Sequence, residues 1–270
     1  MINDLVTIVT VCFNAEDSLE KTLISVLSQT YRPLEYIIKD GVSTDGTLNI
    51  IDKYKLQFIE KGIQFKFLSE KDNGIFDAMN RSMVLAEGKW INFMNADDLF
   101  CDSNVIAKVF ENRSIDDEIK VVYGNALRKK HFGIRQLNGC PPEMTLTKMP
   151  ASHQAIFVDT EEMKTHPFNL EYKFAADYHF IYNLYKRGGK MQYLPIDIAI
   201  CEAEKGASAS NKLKVRQECA RIKQIDKTWG WRYNYCKVAI CIYTKIFFHA
   251  IIPQEFLNKY RRWNHKRMGK

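Results

Sequence analysis

Short apolar runs and segments of helical spacing take turns through the first hundred residues, and that alternation restricts the fold more than any other feature of the chain. "LVTIVTV" (Leu5 to Val11) is short, β-branched and almost wholly apolar, the composition of a strand buried on both faces. "EDSLEKTLISVLSQ" follows, with Leu19, Leu23, Val26 and Leu27 at helical spacing. "LEYIIKD" is a second strand, and "GVSTDGT" after it is a turn offering Ser43, Thr44 and Asp45 as helix caps. "QFKFLSE" is a third strand, "GIFDAMNRSMVLAEG" a helix closed by Gly88, and "KWINFM" a fourth strand. The pattern predicts an α/β fold: a mostly parallel central sheet, Rossmann-like, flanked by helices and joined by right-handed crossovers. In such sheets ligands bind beyond the carboxyl ends of the strands. Cys12-Phe13-Asn14, Asp40, Ser69-Glu70 and Asn95-Ala96-Asp97-Asp98 all fall at that edge.

Beyond residue 100 the alternation weakens. "VVYGN", "HQAIFV" and "MQYLPIDIAI" read as strands, and "DYHFIYNLYKRGG" as a helix with a glycine stop. With 270 residues, 46% of them hydrophobic, the chain can bury a full core. The spacing predicts a globular domain over 1–225, divided near residue 100; the family resemblance given below implies a nucleotide-binding half at 1–100 and an acceptor-binding half at 101–225. Residues 226–270 read as basic, amphipathic C-terminal helices. Seven cysteines without a C-x-x-C pair argue against a zinc site, and their odd number suits a reducing cytoplasm. The N-terminus lacks the basic leading region of a signal peptide.

The fourth strand ends in two adjacent carboxylates, Asp97 and Asp98, which repel each other and lose hydration. A solvated turn with Asp98 capping the next helix is one explanation. A hard divalent cation is the other: Mg²⁺ or Mn²⁺ takes one or two carboxylates together with substrate phosphates. Asp40 and Asn14 carry the same ambiguity between turn-forming residue and ligand contact. "SEKDNGIFDAMNRS" gathers Lys71, Asp72, Asn73, Asp77, Asn80 and Arg81 beside a strand end, which suits a polar ligand. Arg81 also reads as a solvated helix charge. G-x-G-x-x-G and G-x-x-x-x-G-K-[ST] are both absent, so phosphates call for a metal. His153-Gln154 could line the site or be structural.

Together "TIVTVCFNAEDSLEKTLISVLSQTY", "LEYIIKDGVSTDGT", "SEKDNGIFDAMNRSMVLAEGKWINFMNADD" and "AADYHFIYNLYKRG" strongly resemble the family 2 glycosyltransferases, over roughly residues 5–205. The nearest look-alikes are bacterial enzymes building O-antigen, capsule or exopolysaccharide. The resemblance implies a GT-A fold and inverting transfer of a sugar from a nucleotide sugar, a UDP-sugar, to a saccharide or lipid-linked acceptor. It implies that Asp40 holds the base and that Asp177 is the catalytic base. Phe13, Asn14, Glu16, Asn73, Asn80, Asn95 and Asp97 are the further donor contacts it implies, and Asp97 and Asp98 the ligands of Mn²⁺ or Mg²⁺. Three positions depart from the family: Asn95 stands where the first Asp of the metal motif is usual, Ala176 where a Glu often precedes the base, and "KGAS" (Lys205 to Ser208) where a Gly-Gly-x-Ser-like loop is common. Taken alone, Asp177 is a first-turn acid of a helix.

The formal charge is +7, but the stretch from Lys227 onward has ten Lys/Arg against Glu255 alone, giving +9 there and +7 − 9 = −2 elsewhere. Val238 to Ile252 is apolar yet shorter than the ~20 residues that span a bilayer. After Pro253, Phe256, Leu257, Tyr260 and Trp263 repeat at helical spacing opposite basic residues. Two such segments read as helices lying on a membrane surface, against the alternative of packing on the body or on a second copy. The expectation is therefore a cytoplasmic enzyme, peripheral on the inner face of the membrane, with no nucleic-acid partner. Its rivals are a metal-dependent nucleotidyltransferase, releasing pyrophosphate, and a nucleic-acid-binding protein using the tail. No oligomeric state is readable.

Overall fold

The computed structural model describes residues 4–111, 113, 115–130, 133–202 and 210–251. The loop at Lys205 to Ser208 and the segment carrying Phe256, Leu257, Tyr260 and Trp263 lie outside them.

Strands β1 (Val6–Cys12) and β2 (Leu34–Asp40) are buried at every position. Period-two alternation therefore sends their side chains into two separate layers. Val6, Ile8 and Cys12 of β1 join Leu34, Tyr36 and Ile38 of β2 on one face. Val9, Val11 and Ile37 go to the other. On the first face lie α1 (Leu19–Leu27), α2 (Thr47–Glu60) and α4 (Val105–Phe110), contributing Leu23, Phe58 and Phe110 among others. The second face is covered by α3 (Ile75–Met83), α5 (Thr160–Thr165) and α6 (Ala176–Lys186), through Met79, Met163 and Phe180. Each such side chain taken fully out of water contributes about 1.5–3 kcal/mol. The result is a helix–sheet–helix sandwich.

The sheet has nine strands in the order β3-β2-β1-β4-β8-β6-β9-β5, with β7 paired to β6. Strands β3 (Ile63–Ser69), β2, β1 and β4 (Trp90–Phe93) are parallel, as the alternation requires. Strand β8 (Ile156–Asp159) joins β4 antiparallel and starts the second half of the sheet. There β6 (Ile119–Lys130) pairs parallel with β9 (Lys190–Glu202), while β7 (Gly133–Leu137) and β5 (Leu99–Phe100) attach antiparallel. His153 and Gln154, read from sequence as part of a strand, belong to a 3₁₀ turn (His153–Ala155) that precedes β8.

The chain divides into two compact units, Met1–Cys219 and Ala220–Lys270. The division falls within helix α7 (Lys212–Ile222), ahead of the change at 225/226 expected from composition. The second unit contains α8 (Trp229–Ile251), 23 residues long and continuous through the apolar run. Among the described residues no helix is long and apolar enough to cross a membrane.

Candidate active site

Four loops leave the carboxyl ends of β1, β2, β3 and β4 side by side, and backbone–side-chain bonds lock them together. After β1, Asn14 takes the left-handed conformation (φ 47°) and its Oδ1 accepts from Thr44 N at 2.9 Å. Asn14 N donates to Ser43 Oγ (2.8 Å), and Gly46 N to Glu16 Oε2 (2.6 Å). Asn14 and Glu16, expected at the nucleotide, thus join the β1 loop to the β2 loop. Asp45 Oδ1 accepts from Thr47 N at 3.0 Å, giving α2 a side-chain acceptor at its start.

Asp40 shows the turn behaviour that sequence left as one of two options. Its carboxylate has no exposed surface. It accepts from Val42 N (2.9 Å), Ser43 N (3.0 Å), Ser69 Oγ (2.7 Å) and Ser43 Oγ. What these bonds hold is an unusual turn: Val42, β-branched, sits at φ 67° and stays 42% exposed. That conformation is costly for a β-branched residue and clusters at functional sites. Beside it the Phe13 ring is 63% exposed. Lys39, fully buried, is ion-paired to Asp72 and donates to Glu70 O at 2.8 Å, fixing the loop after β3. Val42, Phe13 and Lys39 frame this end of the cleft; of the three, sequence singled out only Phe13.

Asn73 N and Nδ2 both donate to Asp77 Oδ2 (2.8 and 3.2 Å), which places Asn73 at the mouth of α3. Asn80 is committed elsewhere. Its Nδ2 donates to Phe168 O and its Oδ1 accepts from Phe168 N, each at 2.9 Å. Both ends of the amide take part in joining α3 to the segment before α6, so Asn80, expected at the donor, has a packing role in this structure.

The carboxylate pair is held from three sides. Thr10 Oγ1 on β1 donates to Met94 O (2.6 Å), and Thr22 Oγ1 on α1 donates to Asp98 O (2.9 Å) and accepts from Asp97 N (3.1 Å). Asn92 Nδ2 on β4 donates to Gln154 O and Ile156 O (2.9 and 2.8 Å), drawing the 3₁₀ turn against the pair. Gln154 Nε2 then donates to Asp98 Oδ2 at 2.8 Å. Asp98 is 8% exposed and does not cap α4, whose N-cap is Asn104. Asp97 stands at φ 85°, a second strained position at this edge.

The same turn connects the pair to Asp177. His153 Nε2 lies 3.1 Å from Asn95 Nδ2, and His153 Nδ1 lies 3.7 Å from Asp177 Oδ2. With the amide as donor, Nε2 is the acceptor and the imidazole proton belongs on Nδ1, facing the carboxylate; this tautomer is assigned from the hydrogen bonding. Burial pushes the Asp177 carboxyl above the usual range, and His153 works against that shift. Burial likewise holds His153 below its ordinary value, opposed by Asp177. The carboxylate therefore has raised basicity, as proton abstraction requires. Asn95 Oδ1 is buried with no hydrogen-bond partner, an acceptor aimed at nothing in the protein. Asp177 itself sits in the first turn of α6, and its Oδ1 accepts from Tyr178 N at 2.7 Å.

Two carboxylates stand next to each other in sequence here, one of them already bonded to Gln154. Among the described residues no group of three or more His, Cys, Asp or Glu is placed to hold a metal. That donor set fits a hard cation that draws its remaining oxygens from water and a bound diphosphate.

Residues 7–145, just over half of the chain, match the model of glycosyl transferase family 2. The PGL/p-HBAD biosynthesis glycosyltransferase of Mycobacterium bovis is 32% identical over 168 residues, covering 62% of this chain and 64% of the relative. The chain thus spans less than two thirds of that relative's length. The Escherichia coli UDP-Glc:alpha-D-GlcNAc-diphosphoundecaprenol beta-1,3-glucosyltransferase WfaP is 25% identical over 247 residues, covering 89% of this chain and 92% of its own. Among solved structures, the mannosyltransferase PcManGT of Pyrobaculum calidifontis, in complex with GDP-Man and Mn²⁺, superposes with a TM-score of 0.64 at 17% identity over 82% of this chain and 64% of that one. That likeness establishes the GT-A fold. On its sequence and its architecture, the chain belongs to glycosyl transferase family 2.

Proposed function

We propose that this chain is an inverting glycosyltransferase that moves a sugar from a UDP-sugar to a saccharide hydroxyl on a lipid-linked acceptor, in the building of a cell-surface polysaccharide. The observation that carries the proposal is the line Asn95–His153–Asp177, which joins the carboxylate loop of the donor half to a basic carboxylate in the acceptor half. The match to WfaP over 89% of the chain supports the donor and acceptor class.

The roles follow from the chemistry of in-line displacement. The uracil ring lies against exposed Phe13, on the turn that Asp40 and left-handed Val42 build. Asn95 Oδ1 accepts from a hydroxyl of the bound donor, which satisfies its orphaned lone pairs. Asp97 and Asp98 hold Mn²⁺ or Mg²⁺, which when bound neutralises charge on the departing diphosphate. Asp177 takes the proton from the acceptor hydroxyl as its oxygen attacks the anomeric carbon. The bond from that carbon to the diphosphate breaks, and UDP leaves with the electron pair. His153 Nδ1–H orients Asp177 without removing its proton-accepting oxygen.

In the second unit, Trp229 stacks on Tyr233 (5.5 Å) and Trp231 on Tyr235 (4.9 Å), with Lys237 Nζ over the Tyr233 ring at 4.4 Å. Trp229 and Tyr233 are 78% and 51% exposed. Exposed aromatic–cation ladders suit the headgroup layer of a membrane, and they support a peripheral location where lipid-linked acceptors reside.

The test of the metal assignment is UDP binding by calorimetry in Mn²⁺. Asp97→Ala and Asp98→Ala are each expected to weaken UDP at least tenfold while circular dichroism stays unchanged. UDP affinity equal to wild type in both variants would refute it.

A further inference from the structure

One buried carboxylate stands outside this mechanism. Glu218 of α7 is 7% exposed, and among the described residues its carboxylate is held by three successive backbone N–H groups and by no ion pair. Oε1 takes Lys173 N (3.0 Å), and Oε2 takes Phe174 N (2.8 Å) and Ala175 N (2.9 Å). Those three residues are the entry to α6, and Asp177 follows two positions later. One turn earlier on the same face of α7, Lys214 Nζ lies over the Phe174 ring at 5.5 Å. Two side chains of one helix thus clamp the three residues that lead into the base. Burying an anion is costly unless charge-assisted bonds replace its water, and these three bonds do so. The arrangement fixes the backbone and also places a fixed negative charge near Asp177.

We infer that Glu218 is a positioning residue for Asp177, setting the direction in which its carboxylate leaves the start of α6. The inference rests on Asp177 being the base. Fixing the approach segment fixes the φ and ψ at which α6 begins, and with them the exit vector of the Asp177 side chain. The charged and titratable groups that act on Asp177 are His153, from the turn before β8, and Glu218, from α7. They work in opposite senses: Glu218 disfavours the ionised carboxylate and raises its proton affinity, whereas His153 lowers it. Burial is the largest cause of the raised proton affinity of Asp177, and the charge of Glu218 adds to it in the same sense.

The test is made on the full-length chain with Glu218→Gln and Asp177→Asn. The Asp177 carboxyl is titrated by ¹³C NMR, its resonance assigned by its loss in Asp177→Asn, and UDP release from UDP-glucose is followed in parallel. In Glu218→Gln the titration midpoint is expected to fall and UDP release to drop at least tenfold, with UDP affinity unchanged within twofold. Glu218→Gln in the Asp177→Asn background should add no further loss of release, because Glu218 acts through Asp177. UDP release equal to wild type in a folded Glu218→Gln protein overturns the inference. If Glu218→Gln fails to fold, Glu218→Asp is read instead: the charge stays but is drawn back from the three N–H groups, and release equal to wild type overturns the inference. Full UDP release by Asp177→Asn would refute the base itself. Loss of release there with a normal Glu218→Gln refutes only the role of Glu218.

Discussion

Asp177 is surrounded by groups that are weak signals in a sequence. A first-turn acid on an amphipathic helix is ordinary, and only the family resemblance singled it out. His153 was one histidine among six, with a structural reading just as available. What distinguishes it is placement: Asn92 on β4 ties down the turn that carries it, and Asn95 meets one of its nitrogens while Asp177 faces the other. None of these distances has a sequence signature. The amide at position 95, a departure from the family pattern, acquires a reason, since a donor there places the imidazole proton toward Asp177. Because His153 lowers the proton affinity of Asp177, removing it should raise that affinity further. In His153→Ala the acid limb of kcat/KM is therefore expected to move to higher pH, with turnover at neutral pH falling at least several-fold. A pH–rate profile checks this, and an unmoved limb would leave His153 a packing residue. Asn80 has a role that a sequence does not display: its amide bonds the Phe168 backbone at both ends and ties α3 to the segment before α6.

Among the elements, the parallel half was readable because β1 and β2 are buried on both faces and so carry continuous apolar runs. Their parallel sense and the carboxyl edge they share follow from the alternation, whereas their order across the sheet, with β1 between β2 and β4, does not. The second half of the sheet was less readable. Strand β6 spans 12 residues and changes partners along its length, pairing with β8, then β7, with β9 beside it. Register shifts interrupt its pairing with β9, which blurs any simple hydrophobic period. The β2–α2 turn gives the element-scale prediction. Val42 at φ 67° stores roughly 1–3 kcal/mol of strain. Glycine relieves it but costs about 0.4–1 kcal/mol through the unfolded chain. Val42→Gly should therefore stabilise the fold by about 1 kcal/mol net, raising the urea midpoint without changing the slope. The same variant should bind UDP more weakly, since the turn is no longer held in one conformation. A lower urea midpoint would show that Val42 is unstrained where it sits.

For the whole molecule, the charge divides close to where the fold does, near residue 220. The stretch from Lys227 onward carries +9 and the rest −2, so attraction to an anionic surface belongs to the tail. Each Lys or Arg near such a surface contributes about 1 kcal/mol. Composition displays the charge of the tail but not its helix, in which the apolar run after Val238 is the second part of one continuous element from Trp229. The expected second helix, around Trp263, lies outside the described residues. Deleting residues 227–270 should abolish co-sedimentation with vesicles rich in anionic lipid, and added salt should release the full-length chain. Equal partitioning of the two proteins would assign the tail to packing or self-association.

The most direct measurement is turnover by Asp177→Asn beside its affinity for UDP and its melting temperature. The substitution keeps size and hydrogen bonding but removes proton acceptance, so transfer is expected to fall by roughly 10²–10⁴-fold. UDP affinity should hold within twofold, because the donor contacts lie on the other half of the sheet. A carboxyl whose folded-state proton affinity is raised favours the fold only while protonated, and that contribution is lost as pH rises through its folded-state value. Ionised Asp177 therefore weakens the fold at neutral pH, and the asparagine variant should melt no lower than wild type. Lost turnover in a protein that binds UDP normally and is equally or more stable is the result this account predicts. Near-normal turnover would contradict it, and would mean that another group takes the proton.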